Sequence, residues 1–151
     1  MRIIIVHADE VGNVLPLQAC GACASLSARS SVIRQETIWT RCLLRWGNAS
    51  TTARTAHRIC METVAHVLHG GGQHAEAKHL VALLDCAQIC GLAVDFMARR
   101  SPHHGHICRE CAEICNECAT LCEAHQDADG QMKRCADACR RCAKTCEEMG
   151  R

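Results

Sequence analysis

HGHICRECAEICNECATLCEAH, residues 104 to 125, decides how this chain is read. Cysteine stands at 108, 111, 115, 118 and 122, and His104 and His125 extend the same rhythm outward. Steps of four and three alternate without a break, one residue per 3.5 on average, which is the a/d face of a heptad. The spacing therefore predicts a helix with thiol and imidazole where leucine would ordinarily stand. At about 1.5 Å of rise per residue the row is roughly 30 Å long. That is far longer than one four-ligand site needs, so it points to many ions in file.

The same face recurs to either side. Met132, Cys135, Cys139, Cys142, Cys146 and Met149 form a thiol row with a thioether at each end. His79, Leu83, Cys86, Cys90, Ala93 and Met97 keep the phase with two thiols, and His57, Cys60, Val64 and Val67 keep it with one. The punctuation predicts four helices. Ser50 to Thr52 are expected to cap the first, which runs to about His69 before the glycines at 70 to 72. The second is expected from about Gln73 to Arg99. Ser101 and Pro102 then open the third, which continues to about Gln126, and the fourth follows the turn at 127 to 130. Short loops make neighbours antiparallel, so the expected fold is all-α, an antiparallel four-helix bundle with a cysteine-lined core.

Composition limits the alternatives. A net charge of +1 over 151 residues gives no electrostatic reason to expect nucleic acid or an anionic membrane. Fifteen cysteines, no Tyr and a single Phe are the outliers, and cysteine this dense implies disulfides or metal. The start reaches Asp9 and Glu10 after only a short apolar run, and no stretch approaches the roughly 18 apolar residues of a membrane span. The expectation is a cytoplasmic protein, where thiols stay reduced and clustered cysteines favour metal.

Buried thiols as plain core residues are the simplest rival to metal. Between His104 and Arg151, however, the large aliphatics are only Ile107, Ile114 and Leu121, on one stripe beside the thiols. A core built of Ala and Cys leaves volume that ions bridging thiolates would fill. Disulfides between residues three and four apart on one helix would distort it. The bacterial ferredoxin spacing is different and is followed by Pro. Zinc, closing a tetrahedron between facing helices, is the strongest alternative, although structural zinc sites are discrete quartets and this is a ladder. Among soft-ligand metals, Cu(I) accepts two or three sulfurs, which suits thiols one helical turn apart. Met132 and the terminal histidines are then further soft or borderline donors where ions enter.

HLVALLDCAQIC (79 to 90), CRECAEICNECATLC (108 to 122) and CADACRRCAKTC (135 to 146) resemble the cysteine-rich four-helix-bundle copper-binding proteins, the cytosolic copper storage family. The likeness runs from near Thr51 to the end. It implies a bundle whose core cysteines hold several Cu(I) ions and a homotetramer; the partners expected are copper ions and a copper chaperone. Carried over by position, the thiols are Cys86, Cys90, Cys108, Cys111, Cys115, Cys118, Cys122, Cys135, Cys139, Cys142 and Cys146, with Cys60 on the first helix. His125 falls where that family places a histidine near the end of the bundle. Departures from the pattern are as informative. The first helix has one thiol where relatives carry a row, with Thr63 and Val67 in thiol positions. His79 and Met132 likewise replace cysteines, so capacity is expected to be lower.

Residues 1 to 50 read differently and are expected to be an N-terminal extension, poorly ordered or encoded upstream of the true start, with the bundle at 51 to 151. Ile3 to Val6 looks like a short strand, Ile38 to Trp46 like a turn or two of amphipathic helix, and Cys20 and Cys23 like an incidental C-x-x-C. Nothing in the chain pairs a nucleophile with a base, two acids or a phosphate loop, so no catalysis is expected.

Overall fold

The computed structural model describes residues 32–70, 75–124 and 130–151, with side chains from residue 40 onward. Ile3 to Val6, Cys20, Cys23 and His125 lie outside the described residues. Four helices are described: α1 Val32–Gly70, α2 Ala77–Ala98, α3 His104–Ala124 and α4 Gly130–Met149. Residues Trp39–Arg151 form one compact unit; of the other, Met1–Ile38, the opening turns of α1 are described.

The first helix differs from its expected start. Ser50 to Thr52 do not cap it; α1 runs through them, from Val32. Their hydroxyls turn back onto the preceding turn, Thr51 Oγ1 donating to the Gly47 carbonyl at 2.8 Å and Thr52 Oγ1 to that of Ala49 at 3.0 Å. Inside a helix such back-bonding is the alternative to capping open to Ser and Thr. At the α2–α3 connection, by contrast, the punctuation works as expected. The Ser101 hydroxyl accepts from the His103 amide at 3.2 Å. Upstream, Arg100 takes a left-handed φ of 51°. Its amide donates to Met97 and that of Ser101 to Phe96, both at 3.0 Å, which closes the end of α2 in a Schellman arrangement.

Cross-helix contacts fix the order. Ser50 meets the Met97 sulfur, and His57 Nδ1 donates to the Ala87 carbonyl at 2.7 Å, so α1 and α2 are antiparallel. Cys86 meets Cys115 while Cys90 meets Cys111, so α2 and α3 are too. Arg140 holds Glu123 and Asn116 across α3 and α4. Thr145 pairs with Thr52 at 2.6 Å, and Gln131 donates to Thr63 at 2.9 Å, which closes α4 back onto α1. The result is an up-and-down bundle in which each helix touches the next and the last touches the first.

Its interior is small side chains. Ala49, Ala53, Ala56, Ala87, Ala93, Ala112, Ala119, Ala136, Ala138 and Ala143 are buried with the cysteines, while Leu83, Met97, Met132 and Val67 are the bulkiest apolar residues fully inside. On α1 the buried row is Ala49, Ala53, Ala56, Cys60, Thr63 and Val67, a continuous 4-3-4-3-4. The expected row through His57 and Val64 is thus one residue out of phase there. His57 is exposed and Val64 half-buried, because the run of alanines, not the histidine, continues the heptad toward the N-terminus.

A stretch of 18 residues within α2 has a mean hydropathy of 1.8, which makes it the one described helix long and apolar enough to cross a membrane. The sequence expectation named none. That hydropathy belongs to a core helix whose His79, Leu83, Cys86, Cys90, Ala93 and Met97 face the bundle axis, with Val81, Leu84 and Leu92 left exposed.

Candidate metal centre

All the cysteines expected as ligands, Cys60, Cys86, Cys90, Cys108, Cys111, Cys115, Cys118, Cys122, Cys135, Cys139, Cys142 and Cys146, are buried free thiols. Every helix contributes, one from α1, two from α2, five from α3 and four from α4. Each lies on its helix's buried a/d row, so antiparallel packing aims them all at one axis.

The sulfurs form a connected chain. From the end where α4 begins, Cys135 lies 3.7 Å from Cys60, Cys60 3.6 Å from Cys139, and Cys139 3.9 Å from Cys118 and 3.7 Å from Cys86. Cys86 lies 3.6 Å from Cys115, which is 3.5 Å from Cys90. Cys90, Cys111 and Cys142 then make a nearly equilateral triangle with edges of 3.8, 3.8 and 3.9 Å. Cys146 adds a second triangle on its Cys111–Cys142 edge, at 3.7 and 3.9 Å. Cys115 adds a third on the Cys90–Cys111 edge, at 3.5 and 3.9 Å.

These distances have a chemical meaning. A covalent disulfide would bring sulfurs to about 2.05 Å, and none of these pairs approaches that. An equilateral triangle of edge 3.8 Å has its centre about 2.2 Å from each corner, close to the roughly 2.3 Å of a metal–thiolate bond. Three thiols here thus frame a trigonal hole of the right radius before any metal enters. Two quartets, Cys60 with Cys118, Cys135 and Cys139, and Cys90 with Cys111, Cys115 and Cys142, have all four sulfurs within 4.8 Å of one another. Such quartets extend the ladder; they do not interrupt it, since Cys86 bridges them.

Proton affinities are tied together across the chain. Cys60 and Cys115 are pushed well above the ordinary thiol value of 9.0, first by the thiols hydrogen-bonded to them, Cys118 and Cys111 respectively leading, and then by burial. Cys86 and Cys135 are driven the other way, by Cys115 and Cys118 first. Cys142 sits at about 6, with Cys111 pulling it up and Cys115, Cys146 and Cys90 pulling it down. The row therefore titrates as one network. A buried thiol network gives up protons as a set when cations arrive.

The two ends of the ladder differ. Beyond Cys108 and Cys146 stand Met97 and Met149, both buried, with Trp46 packed on His104 at 4.5 Å between ring centroids. His104 Nδ1 is bonded to the Ser101 carbonyl at 2.8 Å, so it is half-buried at the bundle end and does not continue the thiol row inward. Gly150 closes against this end, its carbonyl accepting from Arg109 at 2.8 Å. At the opposite end the layer after Cys60 and Cys135 is Thr63, His79, Cys122 and Met132, one from each helix and all buried. His79 Nε2 lies 3.5 Å from Cys122 Sγ. The sequence placed His79 at the head of an inward row, where histidines were expected as borderline donors, without naming it among the metal ligands.

None of the curated proteins matches the chain. The family model described as copper storage protein matches residues 45–151. Among solved structures, Nmul_A1745 from Nitrosospira multiformis is 34% identical with a TM-score of 0.67, over 71% of this chain and 95% of that one. Cu(I)-bound copper storage protein BsCsp3 is 32% identical, TM-score 0.67, over 71% and 99%. The apo form of copper storage protein 3 from Bacillus subtilis is 28% identical, TM-score 0.62, over 70% and 98%. A four-helix bundle with a file of inward thiols, matched by that model over residues 45–151, belongs to the copper storage protein family.

Proposed function

We propose that the protein stores Cu(I) inside its bundle, holding several ions on the thiolates of Cys60, Cys86, Cys90, Cys108, Cys111, Cys115, Cys118, Cys122, Cys135, Cys139, Cys142 and Cys146. Met132 and His125 are the accessory donors at the end where α4 begins. The observation that carries this reading is the Cys90–Cys111–Cys142 triangle, whose sulfurs surround a point about 2.2 Å from each. Three-coordination by soft sulfur is what Cu(I) accepts. Edge-sharing triangles supply further positions of the same kind, so the capacity is several ions.

The role is sequestration, without catalysis: the inward groups are buried soft donors. The storing body is the compact unit Trp39–Arg151, so the boundary expected at residue 51 falls inside α1. The protein works in the cytoplasm, as a homotetramer, and receives copper from a soluble chaperone. Exposed Met61, Leu68, Val81, Leu84 and Leu92 on α1 and α2 support the association of copies.

Anaerobic titration of the reduced full-length protein separates this from a zinc site. Several equivalents of Cu(I) should bind and resist a 100-fold excess of zinc. Saturation at one or two zinc ions, with copper no tighter, would defeat the storage reading.

A further inference from the structure

Among the ladder's helices α1 is the weakly anchored one, because it brings a single thiol. Cys60 Sγ lies 3.7 Å from Cys135 and 3.6 Å from Cys139, both on α4, and Cys139 lies 3.7 Å from Cys86 of α2. The rest of the buried α1 row is Ala49, Ala53, Ala56, Thr63 and Val67. Burial of small apolar side chains is non-directional, so it does not by itself fix how α1 is turned about its neighbours. On the α4 flank, hydrogen bonds do: Thr52 pairs with Thr145 at 2.6 Å and Gln131 donates to Thr63 at 2.9 Å. A helix held along one edge rolls about that edge unless the other flank is held too.

His57 holds the α2 flank. It stands one turn before Cys60, and its Nδ1 donates to the Ala87 carbonyl at 2.7 Å. Ala87 sits between Cys86 and Cys90, so the bond ties α1 to α2 at the level of both α2 thiols. Gly91 makes room for the ring: a Cβ there would lie 3.6 Å from Nδ1 and 3.9 Å from Cε1. The side chain is exposed and stands off the buried row, so its contribution to the core is small and its contribution to register is direct.

Resting on the storage reading, we infer that His57 is a positioning residue for Cu(I): it latches α1 to α2 and so keeps Cys60 within reach of an ion held by the α4 thiols. The tolerance is narrow. Two thiolates share an ion only while their sulfurs stay within about 4.6 Å, twice a metal–thiolate bond of roughly 2.3 Å. Cys60 stands at 3.6 and 3.7 Å from its α4 partners. A roll of α1 that lengthens both contacts by about 1 Å takes Cys60 to the limit of that span and removes it from any trigonal hole. With no second thiol on α1 to replace it, the quartet of Cys60, Cys118, Cys135 and Cys139 is then reduced to its α3 and α4 members.

The test follows Cys60 itself in the full-length reduced protein. His57→Phe keeps a ring over Gly91 without the donor. In its metal-free form Cys60 should react with iodoacetamide at least 10-fold faster than in wild type, resolved site by site by mass spectrometry, while Cys111, Cys115 and Cys142 keep their wild-type rates. His57→Asn offers an amide N–H where Nδ1 stands and should restore slow labelling. In anaerobic Cu(I) titration His57→Phe should hold about one ion fewer than wild type, and His57→Phe combined with Cys60→Ala no fewer than Cys60→Ala alone. Gly91→Val displaces the ring with the histidine still present and should copy His57→Phe, so it serves if His57→Phe does not fold. Equal acceleration of every thiol would make His57 a general stabiliser and overturn this inference alone. So would wild-type labelling and a full copper complement in both His57→Phe and Gly91→Val. Failure of wild type to take up any copper would overturn the storage reading along with it.

Discussion

Cys115 is the sulfur with neighbours on both sides of the ladder, so its removal separates packing from ligation. In Cys115→Ala the atom lost lies 3.5 Å from Cys90, 3.6 Å from Cys86 and 3.9 Å from Cys111. For the metal-free protein the cost is small. A sulfur's volume of roughly 20 Å³ at about 24 cal/mol per Å³ gives about 0.5 kcal/mol of cavity, and lost transfer energy adds about 1. At about 4 °C per kcal/mol for a bundle of this size, the metal-free melting temperature should fall by about 6 °C. The copper count should respond much more sharply. The Cys90–Cys111–Cys115 triangle disappears, and Cys86 keeps Cys139 at 3.7 Å. At least one ion should be missing, measured as copper per protein after anaerobic gel filtration. An unchanged copper ratio together with a melting temperature lowered by 15 °C or more would refute the reasoning, because the thiol would then be serving the core and not the cargo.

Acidity gives a second handle. Seven thiols, Cys60, Cys90, Cys115, Cys118, Cys122, Cys139 and Cys146, are raised above 9.0 and four, Cys86, Cys111, Cys135 and Cys142, are lowered. The raised group favours the protonated form in the fold, so its stabilisation is complete below about pH 9 and is lost as pH climbs past the unfolded thiol value. The lowered group's stabilisation is complete only above that same value, so calorimetry of the reduced metal-free protein should show melting temperature falling from about pH 9 upward; a flat or rising curve above about pH 9 would contradict the assignment. Arg100→Gly relieves a left-handed φ of 51° and should stabilise by about 0.5 to 1 kcal/mol in chemical denaturation, with loss of stability counting against the cap. A Cβ at Gly150 would sit 2.5 Å from Arg109 Cγ and 3.3 Å from its amide nitrogen, so Gly150→Ala should cost about 1 to 2 kcal/mol and leave copper uptake intact.

How much of this was legible beforehand depends on period. On α2, α3 and α4 the alternation of three and four named every inward cysteine, because one residue type marked the whole face. On α1 a single cysteine could not fix the phase, and His57 and Val64 were read inward where Ala56 and Thr63 are. The start of α1 was misplaced for a related reason: Ser and Thr stop helices only when their hydroxyls reach forward to free amides, and Thr51 and Thr52 reach backward. The triangles were out of reach of the sequence altogether. They depend on axial stagger between helices, which loop lengths constrain only to within a turn. His79 sat in plain view on the right row, yet its partner Cys122 lies 43 positions away.

Edge-sharing among the triangles has a last consequence. Cys111 is a corner of three of them, and Cys90 and Cys142 of two each. An ion settling in one hole strips the proton from a corner that its neighbour also uses, so the next hole is partly prepared before its own ion arrives. Filling should then be collective, with half-charged molecules scarce and empty and full ones side by side in the same sample.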